Sequence, residues 1–210
     1  SVTLDRGFSA TGLVRANQAR IDGDLDCSGA AFDALGELAW RDATTLSLDR
    51  ARIGGTLSLT HQTRPLHGAS LAGTRATTLT DDNSTWGEGL ALDGFGYERL
   101  GVSSPADAGF RLRWLMQQNG AHLDRDFRPR PWRQVIKVLR RAGRQDAARE
   151  VAVALEAHRL RIGRVGADAP RGQRWLARGT HRLFGALVGY GYRPLRLVAA
   201  MTVLWLASGA

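Results

Sequence analysis

The sequence predicts a β-solenoid, a right-handed β-helix with pentapeptide-like coils, followed by an α-helical hairpin and the start of a transmembrane helix. Three observations predict it. A segment of the first hundred residues repeats itself, a helix-period apolar stripe follows Pro131, and the 210-residue chain ends in an apolar run behind an arginine-dense stretch. The corresponding domains are 1–105 for the repeats, 106–162 for a capping helix and tetratricopeptide-like hairpin, and 163–210 for the basic segment and apolar end.

The repeat is visible when Val14 to Cys27 (VRANQARIDGDLDC) is laid on Leu46 to Leu59 (LSLDRARIGGTLSL). An offset of 32 places Ala19 on Ala51, Arg20 on Arg52, Ile21 on Ile53, Gly23 on Gly55 and Leu25 on Leu57. Leu71 to Ala76 and Leu90 to Gly94 are weaker echoes, and Val2 and Leu4 fit an earlier copy. Within each copy apolar and polar residues alternate, as in Leu46/Leu48, Leu57/Leu59 and Leu25/Cys27, which is the period of a strand. Such short strands bury nothing alone. Stacked as coils at the ~4.8 Å strand spacing, they line up their Leu and Ile side chains inside. An antiparallel sandwich also has regular short strands, but it does not require Ala and Gly positions to recur. About four coils are expected, with Cys27 as a small inward residue.

Open strand edges at the end of a solenoid need a cover. Asp107 to Asn119 (DAGFRLRWLMQQN) reads as a short helix with Phe110, Trp114 and Leu115 on one side, expected to supply that cover, with an ordinary connector helix as the alternative. Beyond Pro129 and Pro131, Trp132, Val135, Ile136 and Leu139 fall at the spacing of one helix face. Gly143 interrupts, and Ala147, Val151, Ala154, Leu155 and His158 form a second stripe. The pair makes an antiparallel hairpin with one face needing a surface, since about three such units are normally required for stability. Trp132, Val135, Ile136, Leu139, Val151 and Leu155 are the expected docking face, against the β-helix, a second copy or a protein partner.

Charge divides the chain. Residues 1–100 hold 9 basic and 13 acidic side chains, net −4, and residues 101–210 hold 20 and 7, net +13. Lys137 is the one lysine among 29 cations. Arg171, Arg174, Arg178 and Arg182 recur every three or four residues with Trp175 among them, and Arg193 and Arg196 flank Pro194. These seven residues are the expected membrane-surface contacts, facing an anionic leaflet. Leu195 to Ala210 carries only Arg196 as a charge, and sixteen helical residues rise about 24 Å against a ~30 Å hydrocarbon core. The run therefore reads as the first part of a transmembrane helix, with a buried core helix as the alternative. Arginine on its N-terminal side places the β-helix on the cytoplasmic side of an inner membrane. The chain starts at Ser1 without Met and stops inside that run, so a longer protein with further coils upstream is expected.

Chemistry is sparse. No GxxxxGK[ST], G-x-S-x-G, HExxH or CxxC spacing occurs, and Gly87-Glu-Gly89 and Gly189-Tyr-Gly191 lack the context of a dinucleotide fold. The reading assigns no catalytic, cofactor-binding or metal residues. His61 and His67 read as solvated loop histidines, and Asp81, Asp82 and Asn83 as a turn closing a coil. Trp86, Phe95 and Tyr97 read as packing, with a pocket as the rival. The arginine density points away from nucleic acid, because it rises toward the apolar end and no recognition module accompanies it.

The ARIDGDLDCSGA and ARIGGTLSL repeats, LALDGFGYERL, RLRWL, FRPRPWRQVIKVLRRAGRQDAAREVAVALEAHR and GYGYRPLR together resemble a group of actinobacterial repeat-bearing membrane proteins. They are often labelled membrane-associated oxidoreductases or uncharacterised membrane proteins. The resemblance covers nearly the whole chain and departs at Pro131-Trp132, where a Pro-Tyr pair is common. It implies an upstream repeat array, a downstream membrane segment and an oxidoreductase label. The residues themselves point to a membrane-tethered cytoplasmic scaffold, with a self-assembling β-helix filament as one alternative; a membrane-associated oxidoreductase is the alternative that the resemblance alone implies.

Overall fold

The computed structural model describes residues 1–33 and 44–163. Ten short strands come first: β1 (Val2–Thr3), β2 (Ser9–Thr11), β3 (Val14–Arg15), β4 (Arg20–Ile21), β5 (Leu25–Asp26), β6 (Ala31–Asp33), β7 (Leu46–Ser47), β8 (Arg52–Ser58), β9 (Arg75–Thr80) and β10 (Gly96–Leu100). Every described pairing between them is parallel. The order β1-β5-β8-β9-β10, with β4 also on β8, makes the main sheet, and β2-β6 and β3-β7 form two smaller ones. Each strand therefore pairs with its own counterpart one turn later. That is a β-solenoid of about four turns, and it excludes the antiparallel sandwich.

The register corrects the repeat length. Val2 pairs with Leu25, Leu57 with Leu79, and Leu79 with Leu100, steps of 23, 22 and 21 residues. In that column the step from Leu25 to Leu57 alone spans 32. Ser9 still pairs with Ala31 at 22, whereas Val14 pairs with Leu46 at 32. The offset seen in the sequence is one coil plus ten residues inserted between β6 and β7.

Inward positions stack into ladders. Leu25, Leu57 and Leu79 are buried in register, and Ile53, Ala76 and Tyr97 form a second column. Leu48, Leu71 and Leu92 follow the bridged positions Ser47, Ser70 and Ala91 and are equally buried. Each such leucine contributes about 1.5–3 kcal/mol by leaving water. The corners are held by polar side chains reaching one coil onward, which satisfies backbone groups that no strand pairs. Asn17 Oδ1 accepts from Ser47 Oγ (2.6 Å) and from the Asp49 N–H (3.0 Å). Asp49 Oδ1 repeats the pattern with Ser70 Oγ and the Ala72 N–H (3.1 Å). The next residue of each corner has positive φ: Gln18 at 60°, Arg50 at 59°, Gly73 at 70° and Gly94 at 76°. Glycine serves this left-handed corner in the later coils, and Gln18 and Arg50 hold it at a steric cost.

Helix α1 (Ala108–Met116) lies after the last coil, with Asp107 as its N-cap accepting from the Phe110 N–H at 2.8 Å. The one-turn α2 (Gly120–Leu123) leads to α3 (Arg130–Arg141) and α4 (Gln145–Arg161). Pro131 sits in the first turn of α3, where its missing N–H costs nothing. That helix ends in a Schellman motif: the Gly143 N–H donates to the Arg140 carbonyl (3.1 Å) and the Arg144 N–H to that of Leu139 (2.9 Å). Gly143 has φ of 73°, so Gly143→Ala is expected to destabilise the fold by about 1 kcal/mol in urea unfolding. An unchanged midpoint would show that the corner relaxes freely.

The chain divides into two compact units, Ser1–Val151 and Ala152–Ala210. No helix among the described residues is long and apolar enough to cross a membrane. The apolar run 195–210, expected to begin a transmembrane helix, lies outside the described residues.

Candidate functional site

The chemically densest place in the described structure is the junction of the last coil and α1. Counting along the Ser58–Thr80 pair, Asp81 occupies the inward position held by Leu59 one coil earlier and by Cys27 before that. A carboxylate has replaced an apolar ladder residue, and it is completely buried together with the Arg111 side chain that meets it. Asp81 Oδ2 accepts from Arg111 Nη1 at 2.7 Å and from Trp86 Nε1 at 2.8 Å. Its Oδ1 accepts from Arg111 Nη2 at 2.8 Å, and Arg111 Nε donates to the Pro105 carbonyl at 2.9 Å. The Asp81 N–H donates to Ser104 Oγ at 3.0 Å.

Aromatic rings close around the pair. Trp86 and Trp114 have centroids 5.4 Å apart, Tyr97 and Trp114 6.4 Å, and Phe95 and Tyr97 5.3 Å. The Arg111 guanidinium lies 4.9 Å from the Phe110 ring centroid and 5.5 Å from that of Trp114. Burial alone would lower the Arg111 pKa, but the Asp81 hydrogen bonds and charge reverse this and hold it above its ordinary value. Burial pushes the Tyr97 phenol upward, against the Arg111 charge. A buried bidentate pair of this kind is strong and directional, and it ties α1 to the last coil. Trp86, Phe95 and Tyr97, the sequence's rival pocket, are packed side chains no more than 5% exposed.

The other candidates resolve into local structure. Asp82 closes the turn: its carboxylate accepts from the Ser84 N–H (2.8 Å), from Ser84 Oγ and from the His61 N–H (2.8 Å). Partial burial would raise its pKa, and those bonds outweigh burial to leave it below the ordinary value. His67 Nδ1 accepts from the Glu88 N–H at 3.3 Å, a coil contact. Cys27 is buried, and burial followed by the nearby Asp26 charge pushes its thiol up to about 12, the opposite of an activated nucleophile. Among the described residues no group of three His, Cys, Asp or Glu side chains could hold a metal. A cleft of about 480 Å³ lies beside the α1 N-cap, between Asp107 and the stretch formed by Gly143, Arg144 and the start of α4 at Gln145 and Asp146.

Trp132, Val135, Ile136 and Leu139 are buried on α3, which contacts β10 and α1. Gln134 Nε2 donates to the Tyr97 carbonyl. On α4, Val151 is fully buried and Leu155 is nearly so. Arg171, Arg174, Trp175, Arg178, Arg182, Arg193 and Arg196 lie outside the described residues. Sequence reasoning missed Asp81 as a core residue and Arg111 as its partner. Extending the ladder from Leu57 to Leu79 would have put Asp81 in the Leu59 column. No protein-family model, curated protein or solved structure matches the chain.

Proposed function

We propose that the chain is a membrane-tethered scaffold, in which a right-handed solenoid offers its outer faces to a protein partner and the basic segment after it binds an anionic leaflet. The observation that supports the scaffold part is the filled and capped interior: ladders, ion pair and aromatic rings leave the outer faces as the working surface. The tether rests on sequence. Nine arginines and one acid occupy 159–196, immediately before the apolar run of 195–210. This is the order of an anchored segment with its basic flank on the cytoplasmic side. The resemblance to actinobacterial membrane proteins agrees with that placement.

Flotation of the full chain with phosphatidylserine-containing vesicles tests the tether. Changing Arg171, Arg174, Arg178 and Arg182 to glutamine is expected to weaken binding by about 1 kcal/mol per arginine. Equal flotation of native and variant chains would refute it.

A filament is the second reading, favoured by the all-parallel strand-on-strand stacking of the coils, the same contact that would add one chain to the next. Coil-on-coil growth needs two open ends, however, and α1 occupies the downstream one through Arg111. Electron microscopy of the purified chain decides between discrete particles and fibres. The oxidoreductase label has a separate check, the absorbance spectrum of purified protein for a flavin, haem or nicotinamide.

A further inference from the structure

The solenoid stacks its arginines as well as its leucines. Arg20 pairs in register with Arg52, and Arg52 with Arg75, so three outward guanidinium groups stand on adjacent parallel strands. All three are exposed, and exposed Arg50 joins them from the positive-φ corner two residues before Arg52. Strand spacing of ~4.8 Å puts the three strand arginines within about 10 Å along the column. Like charges directly opposite one another repel. Among the described residues none of the four makes an ion pair, although Arg64, Arg111, Arg128, Arg149 and Arg159 all do.

Asp49 beside Arg50, and exposed Asp22 and Glu98 at the two ends, form no ion pair with the column among the described residues. Asp49, beside Arg50, is taken by Ser70 Oγ and the Ala72 N–H. Asp22 is exposed on the same strand end as Arg20, but the equivalent outward positions beside Arg52 and Arg75 are Gly54 and Thr77, which carry no charge. The column ends at Gly96, the register partner of Arg75.

We infer that this arginine ridge is a second docking surface for the phosphate layer of an anionic bilayer, independent of residues 171–196 though resting on the same membrane reading. Its shape selects the occupant. Three of the four arginines stand on adjacent strands and all four are exposed rather than enclosed, so the chemistry that matches them is an extended anionic surface and not a single small anion. Single-stranded nucleic acid would call for exposed aromatic rings to stack its bases. The exposed large apolar residues among those described are Val2, Leu13, Val102 and Met116, none of them aromatic.

The test uses the full chain and phosphatidylserine–phosphatidylcholine vesicles, with pure phosphatidylcholine as the control. R20Q/R50Q/R52Q/R75Q is expected to weaken vesicle binding about fivefold per arginine, on the order of several hundredfold in all. Its melting temperature should stay level or rise, because repulsion has been removed. Replacing the same four with lysine should restore most of the binding. If the glutamine variant binds like the native chain while the Arg171, Arg174, Arg178 and Arg182 variant does not, the ridge inference fails and the tether stands. If the native chain ignores the vesicles, both fail. Tighter binding of the ridge to duplex DNA than to the vesicles also overturns the inference.

Discussion

Asp81→Leu is expected to lower the unfolding free energy by about 3–5 kcal/mol, the loss typical of breaking one side of a buried ion pair. Arg111 is fully buried, so without Asp81 its guanidinium keeps the Pro105 carbonyl and loses both carboxylate bonds. Trp86 Nε1 loses its acceptor at the same time. Arg111→Leu should cost a similar amount, because it strands the Asp81 carboxylate in the ladder. The double variant D81L/R111L is expected to lose less than either single variant, since an apolar pair needs no desolvation, and what it still loses reflects Trp86 Nε1 and the Pro105 carbonyl left without their partners. Urea unfolding of all four proteins forms a double-mutant cycle, and near-ultraviolet circular dichroism follows the packing of Trp86 and Trp114. If the two single losses simply add in the double variant, the pair is not coupled and α1 is held by its other contacts.

That pair also marks where the fold was legible in the sequence and where it was not. The Ala19/Ala51, Ile21/Ile53 and Leu25/Leu57 matches are true register partners or their neighbours, so the solenoid and its inward columns could be read directly. Phe110, Trp114 and Leu115 likewise fell on the buried side of α1. The coil length could not be read from that match, because it crosses the ten-residue insertion and later coils lack it. Asp81 was hidden by its neighbours. Asp81-Asp82-Asn83 has turn chemistry, and Asp82 does close the turn, but strand alternation carries Asp81 inward. Composition cannot separate two adjacent aspartates. Only the register does.

Trp132→Ala is expected to be the other large loss, about 3–5 kcal/mol. Trp132 is 1% exposed on α3, the helix that contacts both β10 and α1. Its removal would leave a void at the buried face of α3. A second cost follows from the sheet itself. β10 pairs with β9 on one side only, and on α3 Gln134 donates to the Tyr97 carbonyl of that last strand. A loosened α3 therefore uncovers an edge able to pair with another chain. The variant should unfold at lower urea and also scatter light in a concentration-dependent way at temperatures where the native chain stays clear. Trp132→Phe, which keeps a ring in the site, should retain most of the stability and suppress the scattering. A Trp132→Ala protein within 1 kcal/mol of native would mean that α3 is not the element protecting this edge. Loss of stability without association would mean that the strand stays covered by α1 after α3 has loosened.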